Sequence, residues 1–331
     1  MIPITATEKI FGIPLISPFT GSRLIQENRF LISQQMEKFP IVNNIPRFVP
    51  IENYASSFGL QWNEFKKVQL DSFSHTTISR DRLIRIFGGS LEMLKNKTVL
   101  EAGCGAGRFT EVLLQNHSKV FAVDISTAVE ANYENCKSYP DYFVCQADIL
   151  NLPLPPQHFE IVMCIGVIQH TPNPEKTIES LCSQVKPGGL LVIDHYTFGY
   201  PITVSRRILR TLLIHLPPHF SLQFIKALTT FFWPFHRKLN TWKKSWFLDK
   251  FRQGFLRLSP VVDYHDSYPQ LDENQLKIWA VLDTHDTLTD HYKHIRSESD
   301  IRNQLQHCGL ENIQIHLAGN GIEARANKPI K

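Results

Sequence analysis

The sequence has little cysteine for its length, and its cysteines form no recognisable site. The six cysteines in 331 residues make no Cys-x-x-Cys pair and no finger-like pattern with histidine, which excludes a zinc finger and a disulfide framework. No uncharged apolar run reaches the ~18 residues of a spanning helix. The first residues lack the basic start and apolar run of a signal peptide. These absences predict a soluble protein of cytoplasmic type.

Neither repeats nor low-complexity tracts occur, and the composition is that of a folded chain. With 43% hydrophobic, 20% charged and 11% aromatic residues, the sequence can build a large core, so disorder is excluded. The net charge of +4 is unevenly distributed. Residues 200–258 hold eleven Lys and Arg against one acid, Asp249, together with twelve aromatics. A basic aromatic segment is therefore inserted in an acidic body.

Short apolar runs alternate with helix-length amphipathic segments in the second hundred residues. The runs predict strands at 98–102, 120–123, 142–145, 161–165 and 190–195, and later at 312–317 and 321–326 after a helix near 297–308. Strands separated by helices imply a parallel sheet with helices on both faces. Five prolines favour short strands and turns before residue 50, whereas residues 51–96 have helical spacing.

The most informative stretch runs Glu101-Ala-Gly103-Cys104-Gly105-Ala-Gly107-Arg108, between a predicted strand and a predicted helix. Glycines permit a sharp turn and close approach to a ligand, and a helix N-terminus offers free N–H groups. A dinucleotide-binding fold would read GxGxxG, but Arg108 occupies the place of the late glycine. Glu101 would repel a pyrophosphate. It suits a cationic ligand without phosphate, such as S-adenosylmethionine.

Two further acids follow predicted strands. Asp124 ends the second strand and can accept hydrogen bonds from both ribose hydroxyls, as the second-strand acid does in nucleotide folds. Asp148 follows the third strand and can accept from an adenine amino group, with Ile149 against the ring. The turn Lys186-Pro-Gly-Gly189 precedes the fifth strand.

In this order, the glycine loop, the two acids and the Lys-Pro-Gly-Gly turn resemble the class I S-adenosylmethionine-dependent methyltransferases, in the small-molecule subgroup close to the ubiquinone and menaquinone methylases. The resemblance covers roughly residues 78–199 and 295–328. It implies an α/β fold with a Rossmann-like, doubly wound sheet of seven strands, the last antiparallel. The cofactor is then expected against Arg80, Glu101, Gly103, Cys104, Gly105, Asp124, Ile125, Asp148, Ile149, Ile165 and Gln169.

The resemblance also bears on the other segments. Residues 39–48 match the usual ending of the small Trm112-type module that precedes some bacterial methyltransferases, but Ser17-Pro-Phe-Thr-Gly21 stands where zinc-binding members have cysteines. A structural or docking remnant without zinc is predicted. The predicted domains are this module at 1–50, the first part of the core at 51–199, a lid insert at 200–278 and the last part of the core at 279–331.

Methyl transfer from a sulfonium is an in-line displacement, for which the protein positions the nucleophile and excludes water. A general base is needed only for a hydroxyl or a protonated amine. The candidates are His170, His195 and His285, each with a structural role as the alternative. Asp283 and Asp286 flank His285 at a spacing that could ligate a metal, but a hydrogen-bonded loop at 279–292 is favoured and no metal is predicted. With these bases near the methyl position, O-methylation is preferred.

Other residues near the glycine loop have two interpretations. Arg80, at the start of a helix, can pair with the cofactor carboxylate or lie solvated on the surface. Phe58, Gln61 and Trp62 can cap the same pocket or pack in the core. The fourth strand ends in Ile165-Gly-Val-Ile168 rather than the (D/N)PP(Y/F) turn of enzymes that methylate exocyclic amines, so that reaction is disfavoured.

The basic insert has three interpretations. It can be a packed lid over the substrate, a surface for a lipid-linked or anionic acceptor at a membrane, or a nucleic-acid site. Helical apolar spacing and Pro217-Pro218 favour the lid over nucleic acid. The sequence predicts a methyltransferase acting on a small-molecule or lipid-linked acceptor. A non-catalytic scaffold that binds a membrane or protein through the insert, and an NAD-dependent oxidoreductase, are the alternatives.

Overall fold

The computed structural model describes residues 10–199 and 203–330, without the side chain of Lys244. The signal-peptide prediction concerns residues 1–9 and lies outside the described residues, as do residues 200–202 of the predicted insert. No helix in the described part of the chain is both long and apolar enough to cross a membrane.

The described chain begins with a small antiparallel sheet. Its strands, in spatial order, are β1 (Leu24–Glu27), β2 (Phe30–Ser33), β3 (Lys38–Val42) and β4 (Ile45–Pro46). Asn28 has a φ of 56° in the turn between β1 and β2, a conformation that asparagine tolerates well. The short strands and turns predicted for this segment are confirmed, while its kinship with the Trm112-type module stays a prediction.

A second sheet of seven strands forms the centre of the molecule. It consists of β5 (Thr98–Ala102), β6 (Lys119–Asp124), β7 (Tyr142–Gln146), β8 (Phe159–Cys164), β9 (Val185–Tyr196), β10 (Glu311–Ala318) and β11 (Gly321–Asn327). The spatial order is β10-β11-β9-β8-β5-β6-β7. Strands β5 to β9 are parallel, and β11 lies antiparallel between β9 and β10. The predicted fold class is confirmed, including its antiparallel last strand.

The two sheets are joined at the β7 edge. The Phe48 amide donates to the Gln146 carbonyl at 2.8 Å, and the buried Arg47 guanidinium donates to the Gln146 side chain at 3.1 Å. Arg47 also pairs with Glu130. The amino-terminal module is thus an extension of the edge of the central sheet.

The helices flank the sheet and build the lid. They are α1 (Ser56–Glu64), α2 (Asp71–Ser74), α3 (Ile78–Ile86), α4 (Arg108–Gln115), α5 (Val129–Cys136), α6 (Pro174–Gln184), α7 (Val204–Leu213), α8 (Pro218–Thr241), α9 (Trp246–Leu258), α10 (Glu273–Thr289) and α11 (Glu298–His307).

Each face of the central sheet supports its own core, because successive side chains of a strand point to opposite sides. On one face, Leu100 belongs to the apolar cluster that includes Leu181 of α6 and Leu305 of α11. On the other, Val99 belongs to the cluster that includes Val112 of α4 and Leu83 of α3. Near-continuous burial of the parallel strands is therefore explained by helices on both sides.

Helix α10 corrects two predictions. The segment 279–292, expected as a loop, is helical through Thr289, and the predicted domain boundary at 278/279 falls inside this helix. The helix begins at a capping box, in which the Asp272 carboxylate accepts from the Gln275 amide at 2.8 Å. Its Asp, His and Thr residues have low helix propensity, but burial of Trp279 and Leu282 decides the conformation.

Candidate active site

A cavity opens at the carboxyl ends of β5, β6 and β8, where ligands bind in open α/β sheets. The glycine loop after β5 forms its floor. Gly103 and Gly107 have φ values of +81° and +98°, and a Cβ on Gly103 would lie 2.2 Å from Val167. Gly105 faces the indole of Trp62, which would lie 3.5 Å from its Cβ. Glycine is required here by backbone conformation and by close packing.

Asp124, at the end of β6, lines the cavity and is tied to the glycine loop. Its Oδ2 accepts from the Gly105 amide at 2.9 Å, and its Oδ1 accepts from the amide and hydroxyl of Ser126 at 2.8 and 2.6 Å. Burial raises the pKa of this carboxyl, while the bonds from Ser126 and Gly105 oppose the shift. The carboxylate is thus fixed in place, with further acceptor positions on Oδ2.

The neighbouring wall of the cavity is partly apolar. Ile125, Ile149 and Ile165 line it together with Cys104 and Asp148. The Asp148 carboxylate caps the short helical turn that follows, accepting from the Leu150 amide at 2.9 Å. Burial raises the pKa of the Tyr54 hydroxyl on this side of the cavity, and the charges of Asp148 and Asp124 add to the shift. Flat apolar walls beside fixed acceptors suit an aromatic ring with polar edges.

His170 lines the same cavity with a carboxylate behind it. Its Nδ1 lies 3.2 Å from Asp290 Oδ2 and 3.1 Å from the Tyr292 carbonyl, so both neighbours are acceptors for an Nδ1 proton. Its Nε2 has no hydrogen-bond partner among the described residues and lies 3.9 Å from Asp286 Oδ1. The neutral tautomer with a proton on Nδ1 leaves Nε2 able to take one.

Asp290 is itself held by two cations. Its Oδ1 accepts from the Arg210 guanidinium of α7 at 2.7 Å, and its Oδ2 forms an ion pair with the Lys293 ammonium at 2.7 Å. Burial raises the pKa of Asp290, but the contacts with His170 and Lys293 outweigh burial and lower it. Burial lowers the pKa of His170, and the carboxylates of Asp286 and Asp290 outweigh that, so it lies above its usual value.

A second cavity adjoins the first beneath the lid helices. The two share Arg82, Arg108, Tyr196, Asp283, Asp286 and Asn320. In the second, Asp283 accepts a hydrogen bond from the Tyr264 hydroxyl, and burial raises the pKa of this carboxyl to about 6. Arg108 lies over the rings of Phe109 and Trp279. We call this second cavity the acceptor chamber.

Comparison with known proteins identifies the central domain. Residues 100–193 match the family described as Methyltransferase domain. This stretch is a class I methyltransferase domain. Its cofactor is S-adenosylmethionine, and the cavity beside Asp124 lies where the cofactor of this fold is expected.

Relatives with curated names match the same part of the chain. A ubiquinone biosynthesis O-methyltransferase of Coxiella burnetii is 35% identical over 101 residues, which are 30% of this chain and 43% of the relative. One from Azoarcus sp. is 30% identical over 100 residues, 29% of this chain and 42% of the relative. The match thus spans less than half the length of these curated relatives.

Among solved structures, magnesium protoporphyrin IX methyltransferase from Synechocystis PCC 6803 covers 83% of this chain and 96% of its own length, with 14% identity and a TM-score of 0.43. The methyltransferase fold of the present chain is evident in its own strand order.

Three residues expected at the cofactor do not reach the cavity. The buried Glu101 lies outside its lining; its carboxylate accepts from the Thr110 hydroxyl at 2.6 Å, and burial raises its pKa to about 8. Arg80 is exposed and borders a different surface groove. Arg82, two residues further along α3, lies on the cavity side of this helix instead. Gln169 is fully buried behind the cavity, and its backbone carbonyl accepts a hydrogen bond from the backbone amide of His294.

Two of the three candidate bases also lie elsewhere. His195 is on the opposite face of β9 from Asp194, and its Nδ1 lies 2.8 Å from the Tyr196 carbonyl. His285 lies on the α1 side of α10, with Nδ1 2.5 Å from Gln61 Oε1. Burial lowers the pKa of each to about 4. Neither lines the cavity, so only His170 among the three can contact a ligand there.

The structure also changes which residues could bind a metal. Asp283 and Asp286 line the cavity but His285 does not, so these three do not form one site. Among the described residues, the group with ligand atoms close enough for a metal is His170, Asp286 and Asp290, all within 4.8 Å of one another. The cations of Arg210 and Lys293 already contact both oxygens of Asp290, which disfavours a further cation.

Sequence reasoning missed several residues of the site. Asp290 had no assigned role, although it directly follows α10 and its amide donates to the Asp286 carbonyl at 3.1 Å. Arg210 was considered only as one of the basic residues of the insert. Arg108 was considered only as a departure from a glycine pattern. Phe58 and Trp62 do line the cavity, whereas Gln61 instead contacts His285.

Proposed function

We propose that the chain transfers the methyl group of S-adenosylmethionine to a hydroxyl of a small amphiphilic acceptor. The observation that carries the proposal is the position of His170: it lines the cofactor cavity at the side where that cavity meets the acceptor chamber, with an unpartnered Nε2. The names of the curated relatives support an O-methylation.

The residues present fit the cofactor. Asp124 accepts hydrogen bonds from Gly105 and Ser126 and keeps further acceptor positions for the ribose hydroxyls. Because Gly105 has no side chain, the space between it and Trp62 is left open. Asp148 and Ile149 suit the adenine edge and face. When bound, S-adenosylmethionine supplies a methyl group already activated by its sulfonium. The protein therefore needs to orient the acceptor and exclude water.

His170 is assigned as the general base. Asp290 and the Tyr292 carbonyl retain the proton on Nδ1, so Nε2 can accept the proton of the acceptor hydroxyl. The ring is fixed by contacts with Phe58 and Tyr196, at centroid separations of 5.5 and 5.3 Å. Arg210 connects this base to lid helix α7, because it holds Asp290.

The acceptor chamber supports the choice of acceptor. Its wall combines apolar groups such as Leu256 and Trp279 with guanidinium groups such as Arg82 and Arg108. Nη2 of Arg108 has no partner among the described residues, so a polar or anionic group on an otherwise apolar acceptor can be recognised here.

The first experiment is a thermal-shift comparison of S-adenosylmethionine, S-adenosylhomocysteine and NAD, followed by turnover assays with hydroxylated amphiphiles. A ligand at about 100 times its Kd adds roughly 2.7 kcal/mol to the free energy of unfolding. A shift with the first two ligands and formation of S-adenosylhomocysteine support the proposal. A shift with NAD alone indicates an oxidoreductase, and binding without turnover across the acceptor series indicates a scaffold.

A further inference from the structure

The lid helices leave three apolar stripes exposed. On α7, Val204, Ile208 and Leu212 recur every four residues, and their side chains are 60–70% exposed. Such spacing places them on one face of the helix. The opposite face is fixed to the protein through Arg206, which donates to the Val261 carbonyl at 2.9 Å, and through the buried Leu213. This helix is amphipathic, with its apolar face turned outward.

Helices α8 and α9 repeat the arrangement. Phe231 and Phe235 are exposed on α8, and Phe247 and Phe251 on α9, again four residues apart in each pair. The rings of Phe231 and Phe235 are 6.0 Å apart, and Phe235 lies 6.4 Å from the half-buried Phe255 of α9, so the exposed aromatics of α8 extend to the neighbouring helix. Isolated exposed apolar residues are ordinary, but contiguous sets of this size mark interaction surfaces.

The same helices carry an excess of positive charge. Residues 200–258 contain eleven Lys and Arg against one acid. Some are engaged inward, such as Arg210 with Asp290 and Arg252 with Asp266. Others, including Arg207, Arg237 and Lys250, are exposed among the apolar stripes, and the Lys250 ammonium lies 3.9 Å from the centre of the Trp246 ring. Cations interleaved with aromatic side chains match the interface of an anionic lipid bilayer.

The exposed surface lies next to the acceptor chamber. Arg206 of α7 and Gln253, Leu256 and Arg257 of α9 line the chamber, while other residues of the same two helices form the outward stripes. An amphiphile in a bilayer beneath these helices would therefore be one helix thickness from the chamber.

We propose that the outer face of α7, α8 and α9 docks on an anionic phospholipid bilayer, from which the acceptor enters the chamber. Entry of the acceptor from the bilayer rests on the proposed methyl transfer, whereas docking on the bilayer does not. Docking is peripheral: the apolar stripes enter the interface and the basic side chains contact lipid phosphates.

The test is co-sedimentation of the full chain with vesicles of phosphatidylcholine alone and of phosphatidylcholine mixed with phosphatidylglycerol. We expect binding to the anionic vesicles that weakens at high salt, as the screening length falls from about 10 Å at 0.1 M to about 3 Å at 1 M. The Phe231→Ser/Phe247→Ser variant should bind at least ~10-fold more weakly. The Arg207→Gln/Arg237→Gln variant should bind these vesicles roughly 30-fold more weakly.

A matched control changes exposed apolar residues outside the lid, Met36→Gln and Leu317→Gln, and should bind vesicles as the unaltered chain does. Calorimetric titration of S-adenosylmethionine is run on every variant. If the unaltered chain binds S-adenosylmethionine but not the vesicles, the docking proposal is overturned and the proposed function stands. If the unaltered chain does not bind S-adenosylmethionine, the proposed function is overturned instead.

Other occupants of the surface give other results. A concentration-dependent dimer that the Phe231→Ser/Phe247→Ser variant abolishes, without vesicle binding, would assign the surface to a second copy of the chain. Binding of RNA or DNA that the arginine variant abolishes, again without vesicle binding, would assign it to nucleic acid. Either result overturns docking on lipid.

Discussion

His170 and Asp290 form a buried pair beside the cofactor cavity, which His170 lines, with Nδ1 of the histidine 3.2 Å from Oδ2 of the aspartate. The histidine follows β8, whereas the aspartate follows α10, more than a hundred residues later in the chain. Arg210 of α7 binds the same aspartate at 2.7 Å. The lid, the sheet and the last part of the core therefore meet at one proposed catalytic group.

Replacing this base should remove turnover and spare cofactor binding. His170→Ala is expected to lower kcat by about 10²–10⁴-fold, the usual contribution of a positioned general base. S-adenosylmethionine affinity, measured by calorimetry, should change little. His195→Ala is the control, because that ring does not line the cavity. Equal losses of turnover in both variants would contradict the assignment.

The pH dependence of turnover reports on the same pair. His170 must be neutral to accept a proton, and its neighbours hold its pKa above the usual value of 6.5, so kcat should rise with pH through a midpoint above 6.5. Asp290→Asn removes one of the raising carboxylates and should move this midpoint to lower pH. A midpoint that does not move would show that Asp290 fixes the ring without influencing its protonation.

Asp124→Ala should weaken S-adenosylmethionine binding. The change removes the acceptor for the ribose hydroxyls and releases the Gly105 amide. Hydrogen bonds to a charged group contribute about 1.5–3 kcal/mol each, so a loss of at least about tenfold in affinity is expected by calorimetry. Asp141→Ala, an exposed acid at the other end of the sheet, provides the control. Unaltered affinity in Asp124→Ala would refute the placement of the ribose.

Two arginines of α3 should differ sharply in their effect on stability. The Arg82 guanidinium donates to the buried Asp194 carboxylate at 2.5 Å, so Arg82→Ala leaves that charge without its cation and should cost about 3–5 kcal/mol in the free energy of unfolding. Arg80 is exposed, and Arg80→Ala should stay within about 0.5 kcal/mol. Urea unfolding of both variants measures the difference. A similar loss in each would mean that the orientation of α3 is wrong.

Glu101 should make the protein less stable at high pH. Its pKa rises from 4.5 to about 8 on folding, so the folded state binds the extra proton between these values. The corresponding stability is fully present below pH 4.5 and is lost as pH rises through 8, by an amount on the order of a few kcal/mol. Glu101→Gln should abolish this part of the loss in urea unfolding at pH 5, 7 and 9. The exposed Glu27→Gln variant should retain it.

The purified protein should contain no stoichiometric zinc. The turn at Ser17–Gly21 has no cysteine; the Ser17 hydroxyl instead accepts from the amides of Phe19 and Thr20, both at 3.2 Å. Elemental analysis after extensive dialysis checks the prediction. One equivalent of zinc that persists in His170→Ala would overturn the interpretation of the amino-terminal module. One equivalent that this variant loses would instead assign the metal to the cluster of His170, Asp286 and Asp290.

The cofactor side of the site could be predicted because its residues are local in sequence. Gly103, Gly105 and Asp124 sit at strand ends, and parallel strands bring their carboxyl ends to one edge of a sheet. Strand periodicity did not decide which face of β9 His195 would occupy, and a one-residue shift reverses the face. In the same way, Arg80 and Arg82 were indistinguishable until the orientation of α3 was known.

By itself, the sequence determined the fold class and the glycine loop with its second-strand acid, because these depend on short-range patterns of burial and backbone conformation. Only the tertiary structure decided which ionisable groups share a cavity. His170, Asp290 and Arg210 meet through contacts between distant segments, and the helical state of 279–289 depends on burial against the lid rather than on propensity. Tertiary packing therefore decides which side chains can take part in the reaction, whereas the cofactor is already indicated by the sequence.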